Sequence, residues 1–421
     1  MRICVFEDAG VAGLEPLTLT RPAFDLRCGA RALLERQAEY FAADHVAAWV
    51  RPPLADLCRL EHPDMPVNEA ARPGRGPTVY VNARWLPPAG AGVVDGPMVG
   101  LVGDEAAYAV VRDGEANPED LPWLLNEWKR SLPRREAGGV LMAYPWDLVE
   151  HNGTALLQDF AAWDAGRGRA PLPPGVVVIG PAEHVRIDPA ACVEPLAVVD
   201  AVKGPVLIDR DAQVQAFSRL EGPCYVGPGS HIMGAKLRGG TVGPHCRVGG
   251  EVEASILHGY ANKAHDGFLG HSYVGEWVNL GAGTQVSDLR TDYAPVQFRL
   301  GGRAVDSGLM KVGAFLGDHA KTSINALINT GTVAGPFCQL LPSATLAPRV
   351  VPPFCRFGHG RLQERTDLRE LFATAAVVMR RRGRTWTETH AEFFLSLYER
   401  TEAERRQALR EAEQKRLRRV V

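Results

Sequence analysis

The sequence has few of the features that mark secreted, membrane or nucleic-acid-binding proteins. Its eight cysteines, at positions 4, 28, 58, 192, 224, 246, 338 and 355, include no Cys-x-x-Cys pair, and this usage is typical of a reducing compartment. The formal net charge is only −2, so no overall field attracts nucleic acid or a membrane surface. Apolar runs such as Val176–Ile179 are too short to span a bilayer, and Met1 leads directly into the strand-like Ile3–Phe6. We therefore expect a globular cytoplasmic protein without leader, membrane or nucleic-acid partner.

What the sequence does have is an apolar residue at every sixth position over much of its second half. A period of six matches neither a helix nor a simple strand, but it is typical of the coils of a β-helix, in which stacked neighbours bury the inward side chains. Glycine and proline would form the corners between the short strands. We predict a β-helix over residues 176–360. The apolar series is Ile208, Val214, Leu220, Val226 and Ile232, and then Val274, Leu280 and Val286.

The first part of the chain has a different pattern. Residues 1–170 alternate short apolar stretches, such as Thr78–Val81 and Val99–Val102, with helical patterns such as Ala30–Phe41. This alternation predicts an α/β domain. The segment Gly166–Gly175 is rich in glycine and proline and is predicted to be the linker to the β-helix.

Two further segments interrupt or follow the coils. The six-residue period lapses between Ser287 and Lys311, which predicts an insertion that loops away from the coils and edges a binding face. Residues 366–421 are predicted to form C-terminal helices. In the first of these helices Asp367 and Glu370 stand in a capping relation, and Gly383 is the expected stop.

A general base is the clearest chemical candidate in the β-helix. Lys263, His265 and Asp266 lie close together at a predicted corner, and histidine accepts protons near neutral pH. The Asn279 amide, or a backbone N–H at a glycine corner, would stabilise an oxyanion. From the residues alone, a histidine that merely satisfies a turn remains an equal alternative. The histidines are not spaced as metal ligands.

The order of motifs from about residue 226 to 335 resembles the bacterial and archaeal bifunctional enzymes that join a sugar-1-phosphate nucleotidylyltransferase to an amino-sugar-1-phosphate acetyltransferase. The motifs are His265, Tyr273-Val-Gly, Val278–Gly283, Asp288-Leu-Arg, Gly301-Gly-Arg and Lys311–His319. The resemblance implies a left-handed β-helix that forms homotrimers and uses acetyl-CoA or another acyl-CoA. On this basis we assign catalytic roles to Lys263, His265, Asn279 and Asp288, and contacts with coenzyme A to Ala282, Asp318 and Lys321.

Two positions depart from the pattern of that family. Phe268 stands where the family has a tyrosine, and Asp288 stands where it has an asparagine. The run Asn262–Gly270 instead resembles a less characterised subgroup, the sugar nucleotidyltransferases with hexapeptide repeats, and that resemblance extends over nearly the whole chain.

The amino-terminal segment carries a weaker form of the same resemblance. Leu17–Arg27 stands where nucleotidylyltransferases have a glycine-rich loop. We expect Gly10 and Gly13 to bring backbone N–H groups to a nucleoside triphosphate, and Arg21 and Arg27 to neutralise its charge. A sugar 1-phosphate would then attack the α-phosphorus with the help of Mg²⁺. The Gly-Asp pair that binds the metal in the family is replaced here by Ala83–Arg84.

Together these observations predict an enzyme of sugar-nucleotide biosynthesis. The amino-terminal domain would transfer a nucleotidyl group from a nucleoside triphosphate to a sugar 1-phosphate, and the β-helix would transfer an acyl group to a sugar phosphate. Two alternatives stay open. One is an acyltransferase with an inert first domain, and the other is a non-catalytic trimeric scaffold that binds sugar nucleotides.

Overall fold

The computed structural model describes residues 1–70, 77–92, 94–112, 116–166, 171–300, 302–343 and 346–418. Contacts divide the chain into two compact units. The first contains Met1–Leu26 and Arg31–Tyr144, and the second contains Arg27–Ala30 and Pro145–Val421. The sequence placed the first boundary near residue 170. The division by contacts lies earlier because the helix that begins at Pro145 packs on the coils of the second unit.

The first unit is an α/β domain built on a mixed six-stranded sheet, as predicted. The strands up to residue 141 are β1 (Arg2–Phe6), β2 (Arg27–Cys28), β3 (Arg31–Ala32), β4 (His45–Trp49), β5 (Thr78–Asn82), β6 (Trp85–Leu86), β7 (Met98–Val102), β8 (Glu105–Val111), β9 (Arg134–Glu136) and β10 (Val140–Leu141), of which β2 counts with the second unit. The strand order of the sheet is β4-β1-β5-β8-β7-β9; β1 runs parallel to β4 and β5, and β8 runs antiparallel to β5 and β7. The helices are α1 (Leu33–Tyr40), α2 (Ala55–Glu61) and α3 (Leu121–Ser131).

The register of the parallel strands aligns their carboxyl ends. Phe6 pairs with Trp49 on one side and with Asn82 on the other. The residues that follow these three strands therefore meet at one edge of the sheet. In open α/β sheets this edge is where ligands bind.

The second unit is a left-handed parallel β-helix of about ten coils. All eight apolar residues of the six-residue series are buried in one continuous core, which confirms the period as the signature of inward positions. Helix α4 (Pro145–Gly166) precedes the coils and packs against four of their strands. The strands of the coils up to the insertion are β11 (Val177–Ile179), β12 (Val185–Ile187), β13 (Cys192–Val193), β14 (Val198–Asp200), β15 (Val206–Ile208), β16 (Gln213–Val214), β17 (Arg219–Val226), β18 (His231–Ile232), β19 (Lys236–Val242), β20 (Arg247–Val248), β21 (Glu251–Leu257), β22 (Asn262–Lys263), β23 (Phe268–Gly270), β24 (Tyr273–Val274) and β25 (Gln285–Val286).

The predicted insertion is an antiparallel hairpin of β26 (Gln297–Leu300) and β27 (Arg303–Asp306). It does not simply loop away from the coils. Phe298 is buried and stacks on Trp146 with ring centroids 4.5 Å apart, so one face of the hairpin is held by apolar packing. Gly301 of this insertion lies outside the described residues.

The chain ends in three helices that follow the last coils. They are α5 (Leu368–Arg380), α6 (Glu388–Arg400) and α7 (Glu402–Arg418). Gly383 has a positive φ of 73° just after α5, as expected of a stop. Asp367 stands at the N-cap but makes no capping hydrogen bond, because its carboxylate pairs with Arg365 instead. The intervening strands are β28 (Ala314–Leu316), β29 (Lys321–Thr322), β30 (Leu327–Ile328), β31 (Thr332–Ala334), β32 (Gln339–Leu340), β33 (Val350–Val351), β34 (Cys355–Gly358) and β35 (Arg361–Glu364).

None of the described helices combines the length and the apolar content needed to cross a membrane.

Candidate active sites

Two consecutive carboxylates follow β1, and an arginine holds each of them. Arg51, just after β4, donates from Nε and Nη2 to Glu7 at 3.0 and 3.2 Å. Arg84, just after β5, donates from Nε and Nη2 to Asp8, both at 2.7 Å. Both pairs are bidentate, which is the strongest geometry for an arginine and a carboxylate. They lie at the edge where the parallel strands end.

The Asp8–Arg84 pair is nearly sealed from solvent. The Arg84 side chain is 3% exposed and that of Asp8 is 13% exposed. Burial by itself would raise the pKa of Asp8, but the hydrogen bonds and charge of Arg84 outweigh it and hold that pKa below its ordinary value. Arg84 also donates to Glu105 at 2.6 Å and to the Met142 carbonyl at 2.9 Å. Each of the three guanidinium nitrogens of Arg84 therefore donates to a group of the protein.

These residues do not fit a magnesium ion carried by the protein at this position. Mg²⁺ takes oxygen ligands in near-octahedral geometry, and the protein usually supplies one or two carboxylates beside waters and substrate phosphates. Arg84, which the resemblance places where the family has its metal-binding carboxylate, holds both oxygens of Asp8 and one oxygen of Glu105. A divalent cation would have to displace a buried guanidinium.

Gly10 and Gly13, predicted to approach a triphosphate, both make close contacts within the unit. The Gly10 N–H donates to Asp8 at 3.0 Å, and a Cβ at Gly10 would lie 2.3 Å from the Arg84 guanidinium carbon. A Cβ at Gly13 would lie 2.3 Å from the Ala143 carbonyl oxygen. Arg84 therefore lies against the Cα of Gly10, and the contact of the two glycines with a triphosphate stays a prediction.

A cavity of about 640 Å³ lies beside the other pair, at the carboxyl ends of β1 and β4. This volume is in the range of small-molecule sites. Trp49 and Leu121 form apolar walls, and Glu7, Arg51 and Asn68 supply polar groups. The remaining lining residues are Val50, Pro52, Ala70, Asn117, Pro118, Glu119 and Pro122.

Arg51 is the cation of this cavity. Besides Glu7, it donates to the carbonyls of Thr18 and Arg21 at 2.6 and 3.4 Å. Within the described part of the chain, no hydrogen bond is formed by its Nη1. The sequence did not single out Arg51, because the strand His45–Trp49 was not predicted; recognising that strand would have placed Arg51 at the edge of the sheet.

The two predicted nucleotide-binding arginines fall in different units. Arg21 is half-buried in the first unit, with its carbonyl accepting from Arg51. Arg27 counts with the second unit. Its N–H donates to the Tyr273 hydroxyl at 2.9 Å and its Nε to the His258 carbonyl at 3.3 Å. Arg27 is therefore bound to the coils.

On the β-helix, three polar residues on successive coils are joined by isolated bridges instead of regular strand pairing. Asn262, Asn279 and Lys321 stack on successive coils through isolated bridges. Asn262 donates from Nδ2 to the Asn279 Oδ1 at 2.6 Å, which leaves the Asn279 Nδ2 as a donor. This is the donor that an oxyanion requires.

Lys263 lies inside the coils rather than on their surface. Its register continues the inward stack of Val193, Val214, Ile232 and Val248, and it is 2% exposed. The ammonium donates to the carbonyls of Gly249 and His265 at 3.0 and 2.6 Å. Lys263 therefore holds the corner that carries His265.

His265 itself is exposed at a bend. Among the described residues, no hydrogen bond to its imidazole is found. The structure thus fixes the backbone of this corner but does not orient the ring.

The residues assigned to coenzyme A lie on the later coils. The Ala282 carbonyl accepts from the Asn325 N–H at 2.7 Å. Asp318 is buried and accepts the Glu276 N–H at 2.7 Å, so its carboxylate supports a corner. Lys321 lines a cavity of about 160 Å³ with Arg365. Burial, helped by the charge of Arg365, lowers the pKa of Lys321 to about 8.

Asp288 is paired with His271, a histidine that is not among the predicted site residues. Its Oδ2 lies 2.7 Å from the His271 Nδ1. His271 and Asp288 are 17 residues apart, as are the strand partners Leu269 and Val286, so the two side chains stack on successive coils. The six-residue period did not reveal this stacking, because the period lapses at Ser287, where the insertion begins.

Comparison with known proteins matches the amino-terminal part of the chain to one family. Residues 3–168 match the sugar nucleotidyl transferase family. The chain is also 35% identical over 157 residues to a bifunctional sugar-1-phosphate nucleotidylyltransferase/acetyltransferase of Sulfurisphaera tokodaii, a match that covers 34% of this chain and 37% of the relative. A bifunctional protein GlmU of Jannaschia sp. is 34% identical over 139 residues, with 31% and 30% covered. The resemblance predicted from the motifs is confirmed, and the chain spans about a third of the length of these curated relatives.

Among solved structures, an Arabidopsis UDP-N-acetylglucosamine acyltransferase aligns with 54% of this chain and 90% of its own, at 11% identity and a TM-score of 0.26.

Proposed function

We propose that the protein is an enzyme of sugar-nucleotide biosynthesis with two transfer reactions. The first unit transfers a nucleotidyl group from a nucleoside triphosphate to a sugar 1-phosphate, and the β-helix transfers an acyl group from acyl-CoA to a sugar phosphate. The observation that carries the proposal is the cavity at the carboxyl edge of a sheet whose residues match the sugar nucleotidyl transferase family. The relatives with both activities in their names support the pairing of the two units.

In the first reaction an oxygen of the sugar 1-phosphate attacks the α-phosphorus, and pyrophosphate leaves as its bond to that phosphorus breaks. Arg51 offers the N–H groups of its Nη1 to a phosphate oxygen, and Glu7 keeps its guanidinium in place. Trp49 and Leu121 offer apolar surface to the rest of the nucleotide. We derive no step through Mg²⁺, because Asp8 and Glu105 are held by Arg84.

A specific observation favours one alternative. The buried Asp8–Arg84 pair fits a first unit that binds nucleotides without turning them over. In that case the protein is an acyltransferase, or a scaffold, with a nucleotide-binding first unit. Pyrophosphate release from a matrix of nucleoside triphosphates and sugar 1-phosphates, with and without added Mg²⁺, separates these functions. Release with any pair supports the transferase, whereas binding without release supports the alternative.

The double variant Glu7→Gln/Arg51→Gln is expected to weaken nucleotide binding at least about tenfold, since it removes a charge-assisted contact. Changing both partners avoids leaving a buried carboxylate unpaired. Isothermal titration with nucleoside triphosphates measures the effect. Arg130→Gln, which alters an exposed arginine on α3, is the control. Unchanged affinity in the double variant would remove the cavity from the proposal.

In the second reaction the amine or hydroxyl of the acceptor attacks the thioester carbonyl, and the thiolate of coenzyme A leaves. Asn279→Asp keeps the shape of the side chain but removes the Nδ2 donor. We expect turnover to fall about 100-fold, as for the loss of one oxyanion donor. Thiol release from acyl-CoA measures it, and Gln213→Glu, on an earlier coil, is the control. Full activity of Asn279→Asp would exclude this donor.

We further infer a cytoplasmic homotrimer. Large apolar side chains at the corners of the early coils support assembly, since Leu196 is 56% and Phe217 is 77% exposed. The cysteines are all free thiols and all but Cys192 are buried, as suits a reducing compartment.

A further inference from the structure

A histidine and a carboxylate form an oriented pair at one corner of the β-helix. His271 directly follows β23 and Asp288 lies at the start of the insertion. The His271 Nδ1 and the Asp288 Oδ2 are 2.7 Å apart, and the side chains are only 16% and 10% exposed. The pair is thus largely shielded from water but still reaches the surface.

The backbone holds this pair in place. The His271 N–H donates to the Glu253 carbonyl and its carbonyl accepts the Gly313 N–H, both at 2.9 Å. Gly270 allows the carboxylate to approach, because a Cβ there would lie 2.3 Å from the Asp288 Oδ2. A carboxylate that accepts from Nδ1–H leaves the lone pair of the imidazole on Nε2. Within the described residues, Nε2 takes part in no hydrogen bond with a side chain.

A second acidic residue at the corner, Glu253, does not turn the pair into a metal site. One ligand atom each from Glu253, His271 and Asp288 lies within 4.8 Å of the others. Glu253, however, already pairs with Arg238 at 2.9 Å and with Lys311 at 3.0 Å. These two cations neutralise Glu253 and oppose a divalent ion. Asp288 therefore acts on the imidazole alone.

We propose that His271, oriented by Asp288, is the general base of the acyl transfer. The inference rests on the proposed function of the β-helix. The His271 Nε2 takes the proton from the amine or hydroxyl of the acceptor as its nitrogen or oxygen bonds to the thioester carbon. The carbon–sulfur bond then breaks, and the imidazolium returns the proton to the leaving thiolate. Asp288 stabilises the imidazolium in between.

The alternative base, His265, lacks such support. Its ring is exposed and carries no carboxylate partner among the described residues. A base that must meet its substrate in one geometry depends on a partner that orients it. His271 has that partner.

The test compares thiol release from acyl-CoA in the full-length wild type and in single variants, with amino-sugar phosphates as acceptors. His271→Gln is expected to lower kcat about 100-fold or more, as for the loss of a general base. Asp288→Asn is expected to lower kcat and to move the acidic limb of its pH profile, which a merely structural role would not do. His359→Gln, at an exposed turn, is the control, and circular dichroism checks the fold of each variant.

Full activity of His271→Gln, with loss in His265→Gln, would overturn the proposal in favour of His265. A wild type that releases no thiol with any acceptor would overturn acyl transfer itself, and the role of His271 as its base with it. Nitrogen NMR of the histidines separates the two failures. In the folded wild type it is expected to report the Nδ1–H form of His271, and loss of that form in Asp288→Asn shows that the pair exists whatever its chemistry.

Discussion

Replacing Arg84 by methionine is expected to lower the free energy of unfolding of the first unit by about 3–5 kcal/mol, the usual cost of removing one partner of a buried ion pair. Asp8 would keep its charge in a site that is 13% exposed, and its oxygens would lose both guanidinium donors. The Met142 carbonyl and Glu105 would lose a donor as well. The Arg84 side chain is 3% exposed whereas that of Arg51 is 30% exposed, so water replaces the lost contacts of Arg84 least well.

Hydrogen exchange of the peptides that contain β1 and β5 measures this change locally. The double variant Asp8→Asn/Arg84→Met is expected to recover much of the loss, because it leaves no buried charge without a partner. Arg130→Met, on the surface of α3, is the control. Equal protection in Arg84→Met and wild type would contradict the buried pair and reopen the site to a metal ion.

The second large effect concerns the lysine inside the coils. Burial lowers the pKa of Lys263 to about 8, whereas an exposed lysine titrates near ~10.4. Between these pH values the unfolded chain binds more protons than the folded chain, so stability rises with pH over that interval. Below about pH 8 both states carry the proton, and the full cost of the buried charge is present.

Lys263→Met is therefore expected to reduce the gain in stability between pH 7.5 and pH 10 by roughly 1–3 kcal/mol. Urea unfolding at the two pH values measures it. Lys321, whose pKa is also lowered to about 8 by burial, contributes to the same rise, so the double variant Lys263→Met/Lys321→Met is expected to flatten it further. Lys236→Met, an exposed lysine of the same unit, is the control. An unchanged pH dependence in Lys263→Met would place its ammonium in water.

The consequence for function is that the corner of His265 depends on an internal charge. The Lys263 ammonium donates to the His265 carbonyl at 2.6 Å. As pH rises through the pKa of Lys263, this contact loses its charge, and the backbone of the corner is held less strongly. The His271–Asp288 pair lies at the other end of β23 and does not involve Lys263.

The sequence predicted the β-helix well, and it predicted the first unit of the protein in outline. The period of six found the inward positions because a coil interior tolerates few polar atoms. Lys263 is a charged exception, at an inward position that the period does not include. In the first unit the strands at Ile3–Phe6, Thr78–Val81 and Val99–Val102 were found, but β4 was missed, and the cavity residue Arg51 with it.

The candidate sites were harder to predict because they depend on which polar groups pair. Gly10 and Gly13 were assigned to a ligand, yet their neighbours are Arg84 and Ala143. His265, chosen for its place in a motif, stays a prediction, whereas the imidazole that has a carboxylate partner is that of His271. Each difference concerns a partner distant in the sequence.

The sequence by itself determined the kind of protein: an α/β unit followed by a hexapeptide β-helix and helices, with a family resemblance that comparison confirms. These features are local or periodic, because every coil needs apolar residues at its inward positions and turn-forming residues at its corners. Only the tertiary structure decided the partners of the charged groups. Asp8 and Arg84 are 76 residues apart, Glu7 and Arg51 are 44 apart, and His271 and Asp288 are 17 apart across an irregular coil. Such pairs form where strand ends and stacked coils meet, and the strength of each depends on the burial that the fold provides.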